Sequence, residues 1–128
     1  MAVPYYPIRV AATALFLLAA ITTVHSIGVN YGTLGNNLPP PTQVAQFLKE
    51  KTIIDGIKIY DANPDILRAF ANTGIHVTVT VPNDQIPNLT VVRNARRWVT
   101  ADIKPFYPQT KIHYVLVGNE TSTGDHRT

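Results

Sequence analysis

The sequence contains no cysteine and little charge. Of its 128 residues none is Cys, and Asp, Glu, Lys and Arg together make up 15%. The lack of cysteine excludes disulfide bonds, a thiolate nucleophile and Cys-based metal sites. A secreted chain without disulfides must depend on its hydrophobic core for stability. Hydrophobic residues make up 45% of the chain, which indicates one globular domain rather than a disordered chain.

Several common functions also lack their signals. The formal net charge of +3 is too weak to indicate nucleic-acid binding, and the basic cluster Arg93, Arg96 and Arg97 is interpreted as a solvated helix face. The glycines from Gly28 to Gly35 do not match a nucleotide-binding fingerprint. The serines and histidines do not form a convincing Ser-His-Asp set.

The N-terminal stretch has the features of a secretory signal. Arg9 precedes Val10–Ile21, twelve uncharged residues that are too few for a membrane span of ~20 residues. Val24 and Ser26 are compact residues at the −3 and −1 positions, so cleavage is expected after Ser26. A signal at residues 1–26 would direct the chain out of the cell, and its removal would leave no membrane span there. A retained anchor is the alternative.

The remaining chain alternates between apolar segments and amphipathic segments. Strands are predicted at Ile27–Gly32, Ile57–Tyr60, Ile75–Val81 and Ile112–Val117. Helices are predicted at Thr42–Lys51, between Asn63-Pro64 and Gly74, and near Thr90–Lys104. The order β-α-β-α-β-α-β favours a parallel sheet with right-handed crossovers.

The stretch Val115–Glu120 combines an apolar strand with a polar exit. Its Val-Leu-Val run suits a strand that is buried on both faces. The ends of parallel strands lie at one edge of a sheet, and in α/β barrels that edge carries the chemistry. Four polar exits are therefore expected to converge: Asn30-Tyr31, Tyr60-Asp61, Asn83-Asp84 and Asn119-Glu120.

Glu120 is the candidate proton donor at this edge. Desolvation at the end of a buried strand raises the pKa of a carboxyl group and makes it a plausible acid near neutral pH. Asn119 can exchange hydrogen bonds with a sugar hydroxyl, and Tyr31 and Tyr60 offer rings and hydroxyls for a pyranose. This set of side chains fits carbohydrate better than phosphate. A structural role for Glu120, such as a salt bridge, is the alternative.

Other polar residues have structural interpretations. His76 and His113 lie within predicted strands and are interpreted as core or edge histidines rather than metal ligands. Asp61 and Asp84 are interpreted as helix caps or loop anchors. The tripeptide Asn88-Leu89-Thr90 is a glycosylation sequon that is expected to be exposed near a helix start.

Several motifs, taken in order, resemble those of one enzyme family. They are Ile27–Gly32 with Gly35–Pro39, Lys58–Asp61, Val81–Asp84, Trp98-Val99, Pro105–Pro108 and Val117–Glu120. This series is similar to the mature start of plant glycoside hydrolase family 17, the endo-1,3-β-glucanases and their close relatives. The resemblance extends from about Ile27 to Glu120.

The resemblance implies a fold and an activity. The fold is a (β/α)8 TIM barrel of the α/β class, and the activity is hydrolysis of internal 1,3-β-glucosidic linkages with retention of configuration. Glu120 would be the general acid/base, and Asn119 the amide that binds the sugar 2-hydroxyl. Tyr60 would lie at the catalytic centre and Tyr31 would line the groove. The partner would be a β-glucan polysaccharide, and no cofactor is expected. Lys58 stands where the family usually has Arg.

The last part of the sequence departs from the family pattern. The family's nucleophile Glu follows the seventh strand, no matching stretch is present, and residues 121–128 form a divergent tail. Residues 27–120 are therefore expected to form about half a barrel, with about four strands, about three helices and open edges that permit self-association. Little or no glucanase activity is expected of this chain alone. A non-catalytic glucan-binding fragment and a non-functional truncated product are the alternatives, and a longer form could carry a membrane anchor.

Overall fold

The computed structural model describes residues 26–119, whose four strands form one sheet. The strands are β1 Gly28–Tyr31, β2 Gly56–Ile59, β3 His76–Val81 and β4 Lys111–Val117. Neighbouring strands are parallel throughout, and they lie in the sheet in their chain order. The prediction of a parallel sheet built from consecutive β-α units is confirmed.

The first two predicted helices are present, and their first turns show why they begin there. Helix α1 spans Pro41–Lys51 and α2 spans Pro64–Ala69, each with proline in the first turn, where no backbone N–H is needed. Asn63 caps α2, because its Oδ1 accepts hydrogen bonds from the backbone N–H groups two and three residues later (2.9 and 3.3 Å). Asp61 accepts a 3.0 Å hydrogen bond from the Asn63 N–H and anchors this loop, as predicted.

The third helical region begins earlier than predicted and is interrupted. It consists of a 3₁₀ turn at Asn83–Gln85, α3 at Ile86–Leu89, α4 at Val92–Trp98 and a π-helical turn at Val99–Ile103. Val91 is extended (φ −83°, ψ 115°) and separates α3 from α4. The Thr90 hydroxyl donates a 2.8 Å hydrogen bond to the Pro87 carbonyl, so a side chain replaces helical bonding at this point. The helix that was predicted near Thr90–Lys104 is present from Val92 to Ile103, first as α-helix and then as a π-helical turn, and the break at Val91 separates it from α3.

The hydrophobic core lies between one face of the sheet and the helices α1 and α2. Its buried side chains are Ala45, Leu48, Ile57, Ile59, Ile66, Leu67, Phe70, Ile75, Val77 and Val79. Alternate residues of a strand point to opposite faces, so Ile57 and Ile59 enter this core while Lys58 lies on the other face. The helical spacing of the apolar residues of α1 and α2 agrees with the sequence-based expectation.

Strand β4 is an edge strand, and the prediction that it is buried on both faces is wrong. Val115, Leu116 and Val117 are 42%, 40% and 69% exposed. The physical reason is position, because among residues 26–119 β4 pairs only with β3. The other edge of the described sheet is β1. Strands β1 and β4 are thus the two open edges of this sheet, as predicted.

A β-bulge in β4 places two histidines side by side. The register pairs His76 with Lys111 but shifts after Val77, so that His113 is the extra residue of β4. The rings of His76 and His113 stack with their centroids 3.8 Å apart and their planes 26° apart. Within the described chain, the buried Nδ1 of His76 has no hydrogen-bond partner.

These contacts lower the pKa of His76. Burial disfavours the imidazolium, and the nearby His113 and Lys111 act in the same direction, whereas the Asp55 carboxylate opposes them. His76 therefore stays neutral to a lower pH in the folded chain than in the unfolded chain, where its pKa is about 6.5. Because the unfolded chain binds more protons, this group makes the fold less stable as the pH falls below about 6.5.

We expect Leu67→Ala to lower the free energy of unfolding by about 2–5 kcal/mol, because Leu67 is completely shielded in the core. Leu34→Ala is the matched control, since Leu34 is fully exposed and its truncation should cost less than about 0.5 kcal/mol. Urea denaturation followed by circular dichroism measures both changes. Equal losses in the two variants would contradict the described core.

Replacing His113 should raise the pKa of His76, because His113→Asn removes both a shielding ring and a neighbour that can carry positive charge. Asp55→Asn should lower it further, since the lost carboxylate favours the imidazolium. An NMR titration of the His76 ring from about pH 4 to about pH 8 measures both shifts around the usual value. Shifts of the same sign in the two variants would contradict the stacked arrangement.

Candidate active site

Three polar residues lie together where neighbouring strands end at their carboxyl side. Tyr60 directly follows β2, Asn83 follows β3 after one residue, and Asn119 follows β4 after one residue. The parallel strands bring these exits to one edge of the sheet, as predicted. Hydrogen bonds join all three, so the structure confirms that these strand exits converge.

The side chain of Asn83 binds the backbone of Asn119 at two points. The Asn119 N–H donates to Asn83 Oδ1 (2.7 Å), and Asn83 Nδ2 donates to the Asn119 carbonyl (3.1 Å). The last backbone link before this pair is the hydrogen bond from the Gly118 N–H to the Val81 carbonyl (2.9 Å). The carboxamide of Asn83 therefore continues the β3–β4 pairing beyond the ends of the strands.

Gly118 permits this arrangement. Its φ of +94° lies in the region that favours glycine. A Cβ at this position would lie 3.1 Å from Asn83 Oδ1 and 3.3 Å from Ile86 Cδ1, which is too close for both neighbours to stay in place. Sequence reasoning missed the roles of Gly118 and of the Asn83 side chain. The sequence shows that polar residues follow both strands, but not the register that pairs Asn83 with Asn119.

The carboxamide of Asn119 is only partly satisfied. Its Nδ2 donates to the Tyr60 carbonyl at 3.4 Å, which is long for a hydrogen bond. Its Oδ1 is shielded from solvent and accepts no hydrogen bond from residues 26–119. Leaving a buried acceptor unpaired costs about 1–3 kcal/mol. The hydrogen bonding of this carboxamide is therefore incomplete within the described residues.

Tyr60 presents its ring on the face of the sheet that the core leaves open. The residue is 41% exposed, and the Lys58 ammonium lies 5.1 Å from the centre of its ring. A Cβ on Gly32 would lie 3.8 Å from the Tyr60 ring, so the glycine leaves room for it. The position of Tyr60 beside Asn119 is compatible with both residues contacting one sugar chain.

Tyr31 occupies a different layer. Its ring lies 6.2 Å from that of Phe70, with the planes at 51°, and packs against the core beneath the sheet. Burial raises the pKa of its phenol. The structure does not bring the rings of Tyr31 and Tyr60 onto the same face. That Tyr31 lines a groove stays a prediction, and its described contacts are those of a core residue.

The other candidate residues are exposed or lie outside the described chain. Asn88 and Thr90 of the sequon are exposed, and Asn88 Oδ1 accepts a 2.7 Å hydrogen bond from Asn94. Glu120 lies outside the described residues, as do most of the predicted signal (residues 1–26) and the tail (residues 121–128). The exposure of β4 removes the argument that a buried strand desolvates Glu120.

Two further observations concern only the described chain. Across residues 26–119, no three His, Cys, Asp or Glu side chains are grouped so that they could hold a metal ion. The helices within this range are all too short or too polar to cross a membrane.

Known proteins match the chain in sequence and in fold. Residues 27–128 match the family described as glycosyl hydrolases family 17. A glucan endo-1,3-β-glucosidase of Triticum aestivum is 45% identical over 114 residues, which cover 86% of this chain and 24% of the wheat protein. A probable glucan endo-1,3-β-glucosidase of Arabidopsis thaliana is 50% identical over 96 residues, covering 73% and 20%. The chain thus spans between a fifth and a quarter of the length of these relatives.

A solved structure agrees with the sequence matches. CJP38, a β-1,3-glucanase and allergen of Cryptomeria japonica pollen, superposes with a TM-score of 0.72 at 45% identity, covering 75% of this chain and 30% of CJP38. The four described strands and their helices are therefore part of the TIM-barrel fold of such glucanases. Since the family match covers most of the sequence, the chain belongs to glycosyl hydrolases family 17.

Proposed function

We propose that this chain forms the N-terminal part of a glucan endo-1,3-β-glucosidase that hydrolyses internal linkages of 1,3-β-glucans. The observation that carries the proposal is the meeting of Tyr60 and Asn119 at the carboxyl edge of the sheet, where TIM-barrel enzymes have their active sites. The names of the wheat and Arabidopsis relatives support this substrate. Residues 27–120 would supply one side of the glucan groove.

Retaining glycosidases use two carboxyl groups about 5–5.5 Å apart. In our proposal Glu120 is one of them and protonates the glycosidic oxygen as the bond to the leaving sugar breaks. The second carboxylate, which the family pattern places after a later strand, attacks the sugar carbon. Glu120 then takes a proton from the water that hydrolyses the covalent intermediate.

The described residues would bind and orient the sugar. The carboxamide of Asn119, whose hydrogen bonding is incomplete in the described chain, would bind the 2-hydroxyl of the sugar at the reacting carbon. The exposed ring of Tyr60 would contact the same sugar, and Lys58 lies close enough to hold that ring in place. Tyr31 would support this edge from the core side through its packing against Phe70.

The predicted signal at residues 1–26 supports secretion, and the cell wall is the compartment where β-glucan substrate is available. Glycosylation at Asn88 would be compatible with that route, since the sequon is exposed. The open edges β1 and β4 would permit self-association of the chain.

A non-catalytic glucan-binding role is the second candidate. It is favoured by the meeting of Tyr60 and Asn119 in the described chain, since neither side chain is one of the two carboxyl groups that cleave the linkage. The 128 residues would then bind glucan through Tyr60 and Asn119 without cleaving it.

The 128-residue chain by itself should release almost no reducing sugar from laminarin, because removing one member of a catalytic pair removes most of the rate enhancement. Its Glu120→Gln variant should have the same near-blank rate. A reducing-sugar assay on the two purified chains measures this. Strong turnover that depends on Glu120 would contradict the prediction and would give Asp61 or Asp84 the second carboxylate role.

The catalytic role itself is tested in a hybrid enzyme. Residues 27–120 replace the matching N-terminal segment of the wheat relative, which supplies the remaining barrel. The hybrid should hydrolyse laminarin, and Glu120→Gln should reduce kcat/KM by about 10²–10⁴-fold, the usual contribution of a general acid.

Glu50→Gln is the matched control in that hybrid, because it is the same substitution at an exposed position of α1. Circular dichroism confirms that each variant is folded. A folded hybrid without activity would overturn the glucanase proposal, and equal activity of the two variants would overturn the role of Glu120.

A further inference from the structure

We propose that Asn83 is a positioning residue for the glucan site, which restrains Asn119 so that its side chain is set for substrate before glucan binds. The inference rests on the proposed function of Asn119, and it adds a residue that does not itself contact the sugar. It is carried by the pair of hydrogen bonds between the Asn83 carboxamide and the Asn119 backbone.

Two bonds to one residue restrain both its position and its orientation. Asn83 Oδ1 accepts from the Asn119 N–H at 2.7 Å, and Asn83 Nδ2 donates to the Asn119 carbonyl at 3.1 Å. A carboxamide has one acceptor and one donor group in a plane, so it matches the two polar groups of a backbone residue. Because a peptide bond is planar, holding the Asn119 carbonyl also restrains the direction in which the backbone leaves Asn119 toward Glu120.

The residue before Asn119 makes this restraint necessary. Gly118 has a φ of +94° and no side chain that could pack and fix the chain. Glycine is conformationally permissive, so the strand exit would have several directions open to it after Val117. The Asn83 bonds select one of them.

The Asn119 side chain cannot supply this restraint. Its hydrogen bond to the Tyr60 carbonyl is 3.4 Å long, and its Oδ1 has no partner in the described chain. The backbone held by Asn83 therefore places the carboxamide of Asn119 beside Tyr60, rather than the reverse. A side chain that is already ordered loses less freedom when a ligand binds, which favours affinity.

The exposure of Asn83 argues against a role in global stability. Its side chain lies at the surface, outside the hydrophobic core. Truncation of the Asn83 side chain should therefore leave the core intact and loosen only the backbone of Asn119. This difference separates a positioning role from a general structural role.

The test uses the ¹⁵N-labelled 128-residue chain, with NMR readouts of amide hydrogen exchange and of binding to laminarihexaose, a linear 1,3-β-glucan oligosaccharide. Asn83→Ala removes both bonds. Asn83→Asp keeps the acceptor for the Asn119 N–H but loses the donor. Asn94→Ala is the matched control, because Asn94 also makes two side-chain hydrogen bonds, but to Asn88.

In Asn83→Ala the Asn119 amide should exchange about tenfold faster, while that of the core residue Val79 is unchanged, and the Kd for laminarihexaose should rise about tenfold. In Asn83→Asp the Asn119 amide should exchange as slowly as in the unmodified chain, and the Kd for laminarihexaose should lie between those of the unmodified chain and Asn83→Ala. Asn94→Ala should match the unmodified chain in both readouts.

Unchanged Asn119 exchange in Asn83→Ala would overturn the proposal, as would faster exchange with an unchanged Kd. Faster exchange at Asn119 and Val79 alike would assign Asn83 a general structural role instead. If the unmodified chain does not bind the oligosaccharide, the second candidate function of glucan binding by this chain alone fails, and the preordering of the glucan site fails with it. The glucanase proposal is decided separately by the hybrid enzyme, and Asn119 exchange still decides whether Asn83 restrains that residue.

Discussion

The fold depends on a sheet whose hydrophobic core lies against one of its faces. The residues of β2 and β3 that point to the helices are at most 3% exposed: Ile57, Ile59, Val77 and Val79. Parallel strands need a crossover connection between them, and α1 and α2 serve as these crossovers while covering the same face. Lys58 alternates with Ile57 and Ile59, and Tyr60 follows Ile59 in sequence. The side chains of Lys58 and Tyr60 therefore point away from the helices, to the opposite face of the sheet. Core packing thus decides which side chains are available for a ligand.

A series of hydrogen bonds links the strands from the core to their carboxyl ends and holds the strand exits in place. The hydroxyl of Thr80 is fully buried and donates to the Ile59 carbonyl at 2.7 Å, which ties β3 to β2 near their ends. The Gly118 N–H then donates to the Val81 carbonyl, and the Asn83 carboxamide follows at the surface. Each link depends on the one beneath it, because the strands must already be in register for the next pair to meet.

The sequence predicts the elements well, because their signals are local. Asn63 caps α2 through its own side chain, and the apolar period of each strand follows from the core face. Burial of Val115–Val117 was predicted wrongly, because an apolar run shows what a strand can pack against and not whether it lies at an edge. For Tyr31 the position at a strand exit and the alternation of side chains along the strand give conflicting predictions. Its strand exit suggests a groove, whereas its alternation with Val29 places it on the core face, where its ring lies against that of Phe70.

The pairing of Asn83 with Asn119 could not be predicted, because it depends on a bulge far from the site. At the start of β4 His76 lies opposite Lys111, and continuing that register would place Asn83 opposite Gly118, which has no side chain and a different backbone conformation. The extra residue His113 shifts the strand by one position, so that Val81 lies opposite Val117 and Asn83 meets Asn119. The stacked histidines at one end of β4 and the amide pair at the other are therefore two consequences of a single inserted residue. A change in the bulge would alter which residue Asn83 can hold, although neither histidine contacts the candidate site.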